Sequence, residues 1–91
     1  VGGKKVNPIE VEEALNSIPG IEESACIGVH DDVMGEVVKA FIVGCLTEED
    51  DERVRKEMGA LVENYKIPVY LEHIDSIPRT TSGKIQRLLL K

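Results

Sequence analysis

The stretch Pro78-Arg79-Thr80-Thr81-Ser82-Gly83-Lys84 gathers the groups of this 91-residue chain best suited to chemistry. Thr80, Thr81 and Ser82 supply hydroxyls, Gly83 permits a backbone turn closed to other residues, and Lys84 adds one amine on a long stem. An ammonium so placed suits a carboxylate or phosphate oxygen that gains charge during a reaction, because it lowers the barrier with no proton transfer. A solvated surface lysine is the plain alternative. Ser82-Gly83-Lys84 also invites comparison with the phosphate-cradling P-loop. That motif needs a glycine five residues before its second glycine and a hydroxyl after the lysine, where this chain has Pro78 and Ile85. The P-loop reading fails.

Charge points to the same end of the chain. The net charge of −6 argues against whole-surface binding to nucleic acid or anionic lipid, since phosphates reward Lys and Arg. Residues 1–52 hold three basic and thirteen acidic side chains, whereas residues 53–91 hold eight basic and four acidic ones. After Asp75 no acid remains, and Arg79, Lys84, Arg87 and Lys91 follow, so this tail is expected to face an anionic ligand. His73, in an apolar strand, has no second ligand at metal spacing and reads as a core or edge residue, which leaves no metal site. Cys26 and Cys45 lie in apolar runs without CxxC spacing and read as reduced core thiols of a cytosolic domain. No run approaches the roughly 20 apolar residues of a transmembrane segment, and no signal-peptide pattern is present. The chain opens on Val-Gly-Gly without Met and reads as a piece of a longer polypeptide.

The elements that must hold the loop follow from patterning. At 91 residues, 42% apolar and only 3% aromatic, the chain has room for one small domain with a Val, Ile and Leu core. Asn7-Pro8-Ile9-Glu10 predicts a helix start, with Asn7 as cap, Pro8 in the first turn and Glu10 reaching back to the cap amide. Val11, Ala14, Leu15 and Ile18 form its buried stripe to about Ser17, and Pro19-Gly20 ends it. Residues 24–29 and 37–46 predict an antiparallel hairpin around the polar segment 30–36. Within that segment Asp31, Gly35 and Glu36 are either functional or a solvated turn, the latter favoured.

Thr47 begins a second predicted helix with an acidic first turn. Its pairs are Glu49–Arg53, Asp51–Arg55 and Glu52–Lys56, and its buried stripe is Val54, Met58, Leu61, Val62 and Tyr65. Lys66-Ile67-Pro68 closes it, residues 69–74 predict a third strand, and residues 85–90 a short terminal helix that begins at Lys84. The expected class is α+β, a sheet of about three strands with helices on one or both faces.

The segment Ile77-Pro78-Arg79-Thr80-Thr81-Ser82-Gly83-Lys84-Ile85-Gln86-Arg87 closely resembles the C-terminal lysine motif of the adenylate-forming enzymes. That superfamily holds acyl-CoA synthetases, peptide-synthetase adenylation domains and luciferases. The opening Val1 to Glu12 resembles the second half of the family's hinge-proximal motif, and residues 29–43 resemble its hairpin, with Asp31, Gly35 and Glu36 in place. Where the family commonly has Pro before Asp31, this chain has His30; the family's hinge residue and a further lysine would precede Val1.

The resemblance implies that residues 1–91 form the mobile C-terminal lid domain of a ligase whose large N-terminal domain lies outside this chain. In such an enzyme a carboxylate attacks ATP to give an acyl-adenylate and pyrophosphate, and a thiol, usually CoA, then displaces AMP. ATP and Mg²⁺ would be bound mainly by the large domain, the acid would be fatty, and the 91 residues alone would be inert. Lys84 would be catalytic in the first step. Gly2 and Gly3 would line the thiol channel in the second, with Lys5, Thr81, Ser82 and Gly83 also lying against substrate or nucleotide. Two other possibilities stay open: an adenylation domain that loads a carrier protein, and an autonomous α+β interaction module.

Overall fold

Helix α1 (Pro8–Asn16) starts where local chemistry dictates: the Asn7 side chain accepts the Ile9 N–H at 2.9 Å and Pro8 sits in the first turn. This computed structural model describes residues 6–90. Glu10 does not close the capping box; both of its carboxylate oxygens accept from Lys66 Nζ at 3.0 Å, a partner 56 residues away. Val11 and Leu15 are wholly buried, and Gly20 at φ +96° turns the chain after the helix.

Strands β1 (Ile21–Asp31) and β2 (Gly35–Gly44) form an antiparallel hairpin, longer than expected because the turn between them is only Asp32-Val33-Met34. The Asp31 carboxylate accepts the Val33 and Met34 N–H groups, each at 2.9 Å, and Gly35 takes φ +83°. Asp31 and Gly35 therefore serve the turn. The Tyr70 hydroxyl also donates to Asp31, and these bonds hold the Asp31 carboxyl below its ordinary pKa. A depressed carboxylate stabilises the fold above its unfolded pKa, and that contribution is lost as pH falls through the folded value.

Strand β3 (Tyr70–His73) runs parallel to β2, so the sheet is mixed, with order β1-β2-β3. Alternation gives the sheet two apolar faces. Cys26, Val38, Ala40 and Ile42 face α1 and a second helix, α2 (Asp51–Met58), joining Val11, Leu15, Val54 and Met58 in one core. Ala25 and Phe41 face the other way and are covered by Ile77 and Leu90 of the C-terminal segment. The α+β class with three strands is observed, and both helices lie on one face.

Three expectations are corrected. The second helix ends at Met58 rather than near Tyr65, at Gly59, a poor helix former that stands at its C-cap; Leu61 is left exposed and a separate 3₁₀ turn covers Asn64–Lys66. Its acids and bases pair differently as well: Arg53 meets Asp50 and Glu57, Arg55 donates to the Pro68 and Val69 carbonyls, and Asp51 meets His73 Nε2 at 2.8 Å. His73 is thus a partly buried tie between β3 and α2. The terminal helix is reduced to a 3₁₀ turn at Arg87–Leu89, since Ile85 bridges to Arg79 and the Gln86 N–H bonds the Pro78 carbonyl.

Both cysteines are free thiols, but they differ in setting. Cys26 is buried, and burial, helped by the Glu12 charge, pushes its thiol up to about 12; Cys45 is exposed rather than in the core. Under native conditions at pH 8 a maleimide therefore labels Cys45 in minutes and Cys26 only after unfolding, as mass spectrometry would show by one adduct becoming two in urea. Two rapid native adducts would contradict this packing.

Candidate functional site

Arg79 and Ile85 pair across an antiparallel bridge and set Thr80 to Lys84 out as a loop. Backbone bonds close it: the Thr80 N–H donates to the Lys84 carbonyl at 2.8 Å, and the Gly83 N–H to the Thr80 carbonyl at 2.9 Å. Gly83 takes φ +90°, a left-handed geometry that favours glycine and turns the chain back. The Thr80 hydroxyl accepts the Lys84 N–H at 3.1 Å and lies 2.9 Å from the Ser82 hydroxyl. Arg79 Nη1 donates to the Gly83 carbonyl at 3.0 Å, while its Nη2 donates to Glu23 Oε1 on β1 at 2.7 Å.

Lys84 is consequently held at its own N–H and carbonyl, and through the Gly83 carbonyl before it, while its side chain is exposed. Its ammonium has no ion-pair partner among the described residues. The loop presents a positive charge on a fixed base, an arrangement fit to meet anionic oxygen without a desolvation cost in the unliganded state.

Two further cations of the tail, Arg79 and Arg87, are spent internally, which narrows the expected cationic face among the described residues. Arg79 is paired with Glu23. Arg87 Nη2 lies 2.7 and 2.8 Å from the two Glu12 oxygens, and its Nε donates to the Cys26 carbonyl at 3.2 Å. Lys91 lies outside the described residues. Of the hydroxyls, Thr80 and Ser82 brace the loop; Thr81, Ser82 and Gly83 are all exposed beside Lys84. Gly2, Gly3 and Lys5 lie outside the described residues. Sequence reading missed Glu23 as a loop partner and Glu12 as an anchor, for they stand 56 and 75 residues from the arginines they meet. The sole sequence signal was the acid-free tail, which must find its counter-charges elsewhere. Among the described residues no three His, Cys, Asp or Glu side chains come together as metal ligands. No helix there is long and apolar enough to cross a membrane.

Comparison with known proteins covers almost the whole chain, this loop included. Residues 10–84 match the family described as AMP-binding enzyme C-terminal domain. Over 91 residues, 96% of the chain, it is 42% identical to 4-hydroxybutyrate–CoA ligase 1 of Metallosphaera sedula, covering 16% of that protein. Among solved structures, a fatty acyl CoA synthetase of Mycobacterium tuberculosis superposes with TM-score 0.86 at 32% identity, over 98% of this chain and 18% of that one. The anthranilate CoA ligase AuaEII, in complex with anthranoyl-AMP, gives TM-score 0.91 at 34% identity, over 99% and 18%. This chain belongs to the AMP-binding enzyme C-terminal domain family. It spans about a sixth of the length of the curated relatives it matches.

Proposed function

We propose that these 91 residues are the C-terminal lid of an ATP-dependent acid–thiol ligase, which makes an acyl-adenylate and pyrophosphate and then transfers the acyl group to CoA. The observation that carries the reading is Lys84, an ammonium with no ion-pair partner among the described residues, on a hydrogen-bonded loop in a chain of this family. As the carboxylate attacks the α-phosphorus its own charge falls, while charge builds on the non-bridging α-phosphate oxygens and the departing pyrophosphate, and a cation aimed there lowers that barrier selectively. Thr81, Ser82 and Gly83 border the same oxygens in this reading, Lys5 reaches toward the adenylate, and Gly2 and Gly3 line the thiol channel of the second pose.

ATP, the acid and CoA are substrates, and the large N-terminal domain of the same polypeptide would hold most of them. Mg²⁺ would be held mainly there as well, together with the nucleotide phosphates. The acid is proposed to be a fatty acid and the acceptor to be CoA, in line with the names of the relatives. Two free thiols fit a reducing, cytoplasmic compartment.

The test is product analysis. The parent polypeptide, given ATP, Mg²⁺, a panel of carboxylic acids and CoA, is expected to release AMP and pyrophosphate and form acyl-CoA, whereas the 91-residue chain alone releases neither. ADP in place of AMP would overturn the reading, as would turnover by the isolated chain. Acylation of a carrier protein but not of CoA would assign the loading activity instead.

A further inference from the structure

Resting on the role proposed for Lys84, we propose that Arg79, braced by Glu23, is a positioning residue for that lysine. Three observations carry this. First, the Arg79 guanidinium spans two elements, giving one nitrogen to the Gly83 carbonyl immediately before Lys84 and another to Glu23 on β1. Second, Arg79 and Ile85 are bridge partners, so this side chain crosses the mouth of the same loop its backbone closes. Third, the loop's other bonds are internal to it: Thr80 to Lys84, Gly83 to Thr80 and the Thr80–Ser82 hydroxyl pair. The internal bonds fix the loop's shape, and the Glu23–Arg79–Gly83 chain fixes its place against the sheet. A planar guanidinium suits the task because its separate nitrogens serve two acceptors in fixed directions, which an ammonium does less well.

Both side chains are about 40% exposed, so little folding stability rides on the pair. Their value lies in geometry: a displacement of about 1 Å at a catalytic group can cost as much as 10²-fold in rate.

The test uses the parent polypeptide and times the two half-reactions separately for Arg79→Ala, Arg79→Lys, Glu23→Ala, Lys84→Ala and Arg79→Ala/Lys84→Ala. Arg79→Ala is expected to slow adenylate formation about 10- to 100-fold through kcat, with KM for ATP and acid unchanged. Thioester formation from supplied acyl-adenylate stays within about twofold, because Lys84 serves the first step only. Arg79→Lys recovers part of the loss, and Glu23→Ala costs about two- to fivefold, the range of a half-exposed ion pair. The double variant should be no slower than Lys84→Ala alone, since a residue acting through Lys84 has nothing left to position.

Additive losses, equal losses in both half-reactions, or an unimpaired Arg79→Ala would overturn the inference while leaving a slow Lys84→Ala, and hence the proposed function, intact. An unimpaired Lys84→Ala would instead remove the reading on which it rests, and this inference with it.

Discussion

On the proposed function, Lys84→Ala in the parent polypeptide is expected to slow acyl-adenylate formation by about 10²–10³-fold, the loss typical when one donor to a developing negative charge is removed. Transfer of the acyl group from supplied adenylate to CoA is expected to be spared. The asymmetry is the informative part. A lysine needed merely for folding would depress both half-reactions, and one that bound ATP equally in ground and transition states would raise KM and leave kcat alone. The structure favours a kcat effect because the loop is already built: the backbone of Lys84 is hydrogen-bonded at its N–H and carbonyl and its side chain packs into no core. Alanine therefore removes the charge with little disturbance of the backbone, and the thermal midpoint should move by no more than a degree or two. Lys84→Arg keeps the charge on a wider, planar group and should recover only part of the rate. Stopped-flow release of pyrophosphate, beside a separate thioester assay, measures both; equal losses would refute the assignment of Lys84 to the first step.

The second large effect concerns stability and centres on Cys26, three residues along β1 from the Glu23 that braces the loop. Strand β1 is an edge of the sheet, and a free edge exposes backbone N–H and C=O groups. At Cys26 both are taken by side chains: Glu12 accepts the N–H at 2.8 Å and Arg87 donates to the carbonyl at 3.2 Å, while the two side chains pair with each other. Glu12 is only 6% exposed, so Glu12→Ala leaves a buried N–H without its acceptor and Arg87 without its counter-charge.

Breaking a fully buried pair costs about 3–5 kcal/mol, but Arg87 keeps a third of its surface in water, which reduces the expected cost to about 2–3 kcal/mol. For a domain of this size that is a fall in thermal midpoint of about 10–20 °C. The last residues should loosen with it, since Arg87 holds the segment that lays Ile77 and Leu90 over Phe41. Urea unfolding of Glu12→Ala, Arg87→Met and the double variant forms a cycle: a coupling above about 1 kcal/mol is expected, and additive losses would show that the two side chains stabilise independently.

Two kinds of information built this protein, and the sequence held one of them openly. Where a structure is decided by neighbours a few residues apart, it was legible. Asn7-Pro8 starts α1 and Pro19-Gly20 ends it, because caps and φ restrictions act within one turn. Runs rich in Val, Ile, Ala and Cys on either side of a polar segment mark β1 and β2, since such clustering is a local property, and the Pro78–Lys84 loop stands out by composition alone. Even the early end of α2 had its signal in Gly59, though the apolar spacing through Tyr65 argued for a longer helix.

The tertiary structure decided the rest. Residues 85–90 have helical composition, but six residues cannot offset the cost of nucleating a helix, so the bridge to Arg79 and the burial of Leu90 determine their path. Charge composition counted four cations in the tail without saying which were committed. Arg79 and Arg87 are neutralised by glutamates 56 and 75 residues earlier, and Lys66 by Glu10 at a separation of 56. Coulomb attraction acts through space, so a pair distant in sequence leaves no spacing to read. Among the described residues of that tail, folding commits Arg79 and Arg87 to glutamates and leaves the Lys84 ammonium without an ion-pair partner.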